Sequence, residues 1–130
     1  MTRSAWLKTI TLTGILYAAG CGGGYKAPTA PSISSGTSTA TITLSGRAAS
    51  PTAVTIARGN KVTFINNDTV AHTMSSDPHP VHTDCPALNI GTLAPGQQRD
   101  SGALTVARTC GFHDHDDPDN VALHGTVTIQ

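Results

Sequence analysis

The stretch CGFHDHDDPDN, residues 110–120, places Cys110, His113 and His115 within six positions. A thiolate and neutral imidazoles are strong ligands for first-row transition metals. All six histidines fall between His72 and His124, so ligand chemistry is confined to the second half of the chain. A second stretch, SDPHPVHTDC (76–85), adds His79, His82 and Cys85. These three form a possible secondary metal port, set against the plainer reading of a solvated Pro-rich loop. All eight acidic residues are Asp, and Asp114, Asp116, Asp117 and Asp119 crowd the first stretch. DDPDN reads as a turn whose Asp and Asn side chains cap backbone amides.

The same residues admit other chemistry. With Cys21 set apart, Cys85 and Cys110 remain, and an exported pair of cysteines commonly oxidises to a disulfide. HTDC and CGFH each space a histidine and a cysteine three apart, so His82, Cys85, Cys110 and His113 make a candidate structural zinc set. His124 reads as an exposed histidine at a strand edge. No nucleophile elbow, glycine-rich phosphate loop or paired Glu acid and base is present, and the chain reads as a non-enzyme. The formal net charge of zero leaves no strong field for nucleic acid.

The elements that must position these side chains read as all-β. Ile42 and Leu44 alternate with threonines in TITLSG, Val54 and Ile56 in AVTIARG, Val62 and Phe64 in KVTFINN. Period-two alternation in short β-branched runs marks half-buried strands. RGNK (58–61) is a hairpin signal between the last two. LAPGQ gives a turn at Pro95 and Gly96. ALTVAR predicts a strand with Leu104 and Val106 on one face, and GTVTIQ a closing strand with Val127 and Ile129 inward. No sustained 3.6-residue period occurs. Short strands and frequent turns predict a β-sandwich, with His72 and the Cys110 loop meeting at one end.

The N-terminus reads as an export signal over 1–20, with Arg3 and Lys8 before an apolar run from Ile10 to Ala19. YAAGC resembles the lipobox of bacterial lipoproteins, which implies lipidation at Cys21. Residues 21–39, rich in Gly, Ser, Thr, Ala and Pro, read as a disordered tether. The folded domain is then 40–130, small enough that a metal or a disulfide would help to stabilise it.

VTFINNDTVAHT (62–73), the Leu93-Pro95-Gly96 turn and the ending CGFH…LHGTVTIQ (110–130) resemble the cupredoxins, the plastocyanin and azurin type of small blue copper protein. The resemblance implies a cupredoxin-like Greek-key β-sandwich holding one copper per chain. His72, Cys110 and His113 would be its core ligands and His115 the fourth. Thr73 would brace the site by a hydrogen bond to the Cys110 loop. The usual axial Met is absent, leaving Leu123 or Met74 for that place. On this reading Cys85 is a free thiol or an outer ligand. The implied function is single-electron transfer to a redox partner protein, from an exported, periplasmic or cell-surface location held to a membrane by lipid. The alternative is copper storage, tolerance or metal handling without electron transfer. GFHDHDDPDN also has a superficial likeness to the copper–zinc superoxide dismutase signature. That family wants an apolar residue at Asp114 and several histidines downstream, where only His124 follows.

Overall fold

A computed structural model describes residues 39–130; the signal over 1–20, the lipidation site Cys21 and the tether up to residue 38 lie outside the described residues. The strands are β1 (Ala40–Ser45), β2 (Ala48–Ser50), β3 (Ala53–Ile56), β4 (Val62–Asn66), β5 (His72–Ser76), β6 (Gly91–Leu93), β7 (Gln98–Asp100), β8 (Arg108–Asp114) and β9 (Gly125–Ile129). They form two sheets, ordered β2-β1-β4-β7 and β3-β9-β8-β5-β6. The β1–β4 and β3–β9 pairs are parallel, and the other pairs antiparallel. The alternating runs form strands because one side of each meets the opposite sheet. Ile42, Leu44, Ile56, Val62, Phe64, Val127 and Ile129 are all buried in one core. Phe64 and Phe112 meet edge to face across the sheets, with ring centroids 5.5 Å apart.

Two local expectations are corrected. RGNK does turn, with Gly59 at φ 86° and the Asn60 amide donating to the Ala57 carbonyl at 3.2 Å. It is not a hairpin, because β3 joins the five-stranded sheet beside β9 while β4 joins the four-stranded one. The turn carries the chain between layers. ALTVAR is not a strand: Leu104 is buried but Val106 is exposed, and the Leu104 backbone bonds to the 59–60 turn instead of a ladder. The strand begins at Arg108 and runs to Asp114, so Cys110 lies inside β8 and not in a loop at its end.

Asn66 ties the polar end of the core together. It is fully buried, and its Nδ2 donates to the carbonyls of Val70 (2.8 Å) and Leu93 (2.9 Å). Its Oδ1 accepts from the Asp68 amide at 2.8 Å. The backbone of Asn66 also holds the Pro95-Gly96 turn, accepting from the Gly96 amide at 2.8 Å. A further staple is the disulfide between Cys85 and Cys110, with Cα atoms 5.9 Å apart and a sequence separation of 25. Closing a loop of that size restricts the unfolded chain by about 3 kcal/mol. Asn66→Ala leaves two carbonyls and one amide without their partner and is expected to lower unfolding stability by about 2–4 kcal/mol in urea titration. A loss under about 0.5 kcal/mol would show that these bonds do not hold the end of the sandwich.

Candidate metal centre

The register of β8 decides which side chains meet. Cys110, Phe112 and Asp114 face the core, since Phe112 packs on Phe64 of the other sheet. Gly111 and His113 therefore face outward. Met74 lies opposite Asp114, and Ser75 opposite His113. His72 and His113 thus project from opposite faces of the same sheet. Cys110 and His72 are also separated along it: Cys110 is four residues from the Met74–Asp114 pair on β8 and His72 two residues from it on β5, about 20 Å of ladder.

His72 is not a free ligand. Its Nδ1 lies 2.7 Å from Asp114 Oδ2 and its Nε2 3.3 Å from Asp68 Oδ2, so carboxylates engage both nitrogens. Asp114 Oδ1 accepts from the amides of Thr73 (2.9 Å) and Asp116 (3.1 Å). The amides of Arg47 and Thr69 hold the Asp68 carboxyl below the usual carboxylate range. Asn120, then Arg47, does the same for Asp117. A cavity of about 140 Å³ lined by Arg47, His72, Asp114, Asp116 and Asp117 opens beside this clamp. Thr73 Oγ1 donates to Asp116 at 2.5 Å, which is the brace toward the 110–120 stretch, although through a carboxylate.

The expected ligand set is corrected at Cys110. Cys110 is bonded to Cys85, so neither sulfur is a thiolate. This removes Cys110 from the copper set, Cys85 from the secondary port, and both thiolates from the zinc set. Met74 and Leu123, the axial candidates, are wholly buried core residues. The thiolate-and-two-imidazole group of a blue copper site does not fit the residues at this pole.

The remaining imidazoles converge elsewhere. On the outer face of β8, His113 is covered by segment 77–85, which brings His79 and His82 over it. The donor atoms of His79, His82 and His113 lie within 4.8 Å of one another. His115 joins them, with its Nδ1 3.2 Å from His82 Nε2. At metal–nitrogen distances of about 2.0–2.1 Å, two donors on one tetrahedral ion stand about 3.3 Å apart, close to that separation. His124 borders the group, its ring 5.7 Å from His113 and its Nε2 2.8 Å from the Pro118 carbonyl.

Asp77 orients the deepest of these rings. Its Oδ1 lies 2.7 Å from His113 Nδ1, a carboxylate acceptor that favours the proton there and leaves the lone pair on Nε2. That Nε2 is the one buried side-chain nitrogen or oxygen without a hydrogen-bond partner among the described residues. Burial, then the neighbouring His113, His115 and His79, hold His82 below its ordinary pKa of 6.5, so it is neutral at pH 7 and able to donate a lone pair. Segment 77–85 is held down by the Asp77 amide on the Gly111 carbonyl (3.1 Å) and by Ser76 and Asn89 side chains on the His82 carbonyl (3.0 and 2.9 Å).

Sequence reasoning did not anticipate the Asp77 brace or the Asp68–His72–Asp114 clamp. One signal for the first was present: Gly111 has no side chain where the Asp77 carboxylate lies, and a Cβ there would overlap it.

Among solved structures, the chain is similar to a purple cupredoxin from Nitrosopumilus maritimus, at 20% identity and TM-score 0.58, covering 70% of this chain and 99% of that one. It is similar to a mutant plastocyanin of fern at 17% identity and TM-score 0.57, covering 70% and 100%. A point mutant of amicyanin in its reduced Cu(I) form matches at 18% identity and TM-score 0.53, covering 71% and 82%. No protein-family model and no curated protein matches the chain. The fold is the cupredoxin β-sandwich.

Gly111→Ala drives the Asp77 carboxylate off His113. The expected outcome is loss of the slowly exchanging, hydrogen-bonded His113 Nδ1 proton signal in NMR, with about 1–3 kcal/mol of destabilisation. An unchanged imidazole proton in a folded variant would argue against the brace.

Proposed function

We propose that this is an exported copper-binding protein that stores or hands on its metal through imidazoles of the outer-face centre, without electron transfer. His79, His82 and His113 are the core donors and His115 the fourth. The observation that carries this reading is the convergence of His79, His82 and His113, whose donor atoms lie within 4.8 Å of one another, together with a buried His113 Nε2 that has no hydrogen-bond partner. Burying such a nitrogen without a partner costs about 1–3 kcal/mol, and a bound cation compensates for it.

The electron-carrier reading required a thiolate at Cys110, and the bond to Cys85 consumes it. An imidazole-only set suits a divalent ion, and copper(II) heads the affinity order among divalent first-row metals. The amicyanin with this fold is described in a Cu(I) form, which supports copper as the metal. The rings give lone pairs to the ion, Asp77 keeps His113 in the donating tautomer, and the exposed His79 is the donor nearest solvent for exchange with a metal-carrying partner. A disulfide persists in oxidising compartments, which agrees with the export signal and with attachment through Cys21.

Copper(II) titrated into the oxidised chain at pH 7 should bind at one equivalent with weak ligand-field absorption and no intense sulfur-to-copper band. His113→Ala should weaken binding by about 100-fold or more, since even losing an outer partner of a ligand costs 10–100-fold. His72→Ala should destabilise the fold yet change affinity less than about threefold, because its ring serves the carboxylate clamp. An intense visible thiolate band, or binding that depends on His72 and not His113, would overturn this function.

A further inference from the structure

We propose that the Cys85–Cys110 disulfide is a redox latch on the histidine centre, opened by a dithiol oxidoreductase that docks over Cys85. The inference rests on the imidazole centre described above. His79 and His82 lie on segment 77–85, while His113 and His115 are on or beside β8. The disulfide joins the last residue of that segment to Cys110, three positions before His113. It is the covalent cross-link between the two ligand-bearing elements. At the other end the segment is held by hydrogen bonds alone, through the Asp77 amide on Gly111 and the Asp77 carboxylate on His113. Ser76 and Asn89 also hold the His82 carbonyl, and Asp84 pairs with Arg108, so the disulfide is the covalent tie among several contacts that set how His79 and His82 face His113.

Access to the two sulfurs is unequal. Cys110 is fully buried, whereas Cys85 keeps 7% of its surface. Cys85 lines a cavity of about 150 Å³ with Pro86, Ala87, Leu104 and Val106. Val106 is 64% exposed at its rim, and Arg108 pairs with Asp84 beside it. A groove lined by Cys85 and apolar side chains suits a partner that presents a Cys-x-x-Cys thiolate on an apolar surface.

The exchange balances within that pair. A partner thiolate attacks Cys85 Sγ, and the Sγ–Sγ bond breaks with its electron pair leaving on Cys110. The second partner thiol then attacks the mixed disulfide and releases Cys85. Two electrons and two protons pass from the dithiol to Cys85 and Cys110, and the partner is left as a disulfide. Segment 77–85 loses its covalent tie to β8 and keeps its hydrogen bonds and the Asp84–Arg108 pair, so it spends more time away from His113 and the affinity of the imidazole centre falls. By reciprocity, bound metal must make the disulfide harder to reduce by the same factor.

Zinc(II), which does not oxidise thiols, is the probe. The Cys85→Ala/Cys110→Ala double variant, checked for folding by circular dichroism, is expected to bind zinc at least about tenfold more weakly than the oxidised chain. In a glutathione redox buffer with free zinc held constant, saturating zinc should shift the disulfide midpoint of the native chain lower by about 30 mV or more, the equivalent of tenfold for two electrons, than that of a His113→Ala chain, which corrects for zinc held by the reduced Cys85 and Cys110 thiolates. Val106→Glu should slow reduction by a Cys-x-x-Cys protein several-fold and leave reduction by a small dithiol unchanged. A folded double variant that binds within about threefold of the native chain would overturn the latch. So would a zinc-induced midpoint shift that is equal in the native and His113→Ala chains or more positive in the native chain, and this measurement decides if the double variant does not fold. Equal rates for Val106→Glu with the protein dithiol would overturn the docking surface. Failure of the oxidised native chain to bind zinc in a His113-dependent way sinks the centre itself, and the latch with it.

Discussion

The two-residue period of β8 decides which of the candidate ligand side chains can meet. Successive side chains on a strand point to opposite faces, and Phe112 is pinned inward by the ring of Phe64 on the other sheet. That single contact sends Cys110 and Asp114 into the core and His113 out of it. A slip of one residue would reverse all of them, exposing Phe112 and burying His113 against Phe64. The separation of thiol chemistry from imidazole chemistry follows from this parity.

Each face then resolves its buried polar groups in its own way. Inside, His72 would be a polar ring at the end of an apolar layer, and Asp114 and Asp68 satisfy both of its nitrogens. Cys110 loses its reactivity to the bond with Cys85. Outside, His113 would be an exposed histidine on a sheet surface, but segment 77–85 folds over it. Asp77 satisfies one nitrogen and leaves the other buried without a partner, in a ring packed against His79 and His82. The core is closed polar chemistry, and the outer face is open.

This arrangement connects stability with ligand geometry. The domain is small, and its irregular stretch 77–90 carries little ladder of its own. Its attachment comes from the disulfide, the Asp77 contacts and the Asn89 and Ser76 bonds to the His82 carbonyl. The features that fasten this stretch to the sheet are also those that set the distances among His79, His82 and His113. The cupredoxin sandwich gives the cluster of His79, His82 and His113 a rigid floor on the outer face of β8.

Much of the fold was legible in the residues themselves. Alternation marked β1, β3, β4 and β9, and the Pro95-Gly96 turn announced itself, because these features depend on neighbours in sequence. The concentration of donors in the second half was equally plain. The sequence also contained the two cysteines and the rival readings of them, but spacing along a chain does not say which atoms touch. Pairing of β3 with β9 across the molecule turned an apparent hairpin into a crossover. The register of β8 against β5 decided that His72 and His113 occupy opposite faces, and the closing of segment 77–85 brought His79 and His82 to His113. Local alternation belongs to single strands and can be read from one; register, sheet membership and loop closure are long-range choices, made only when the whole sandwich is packed.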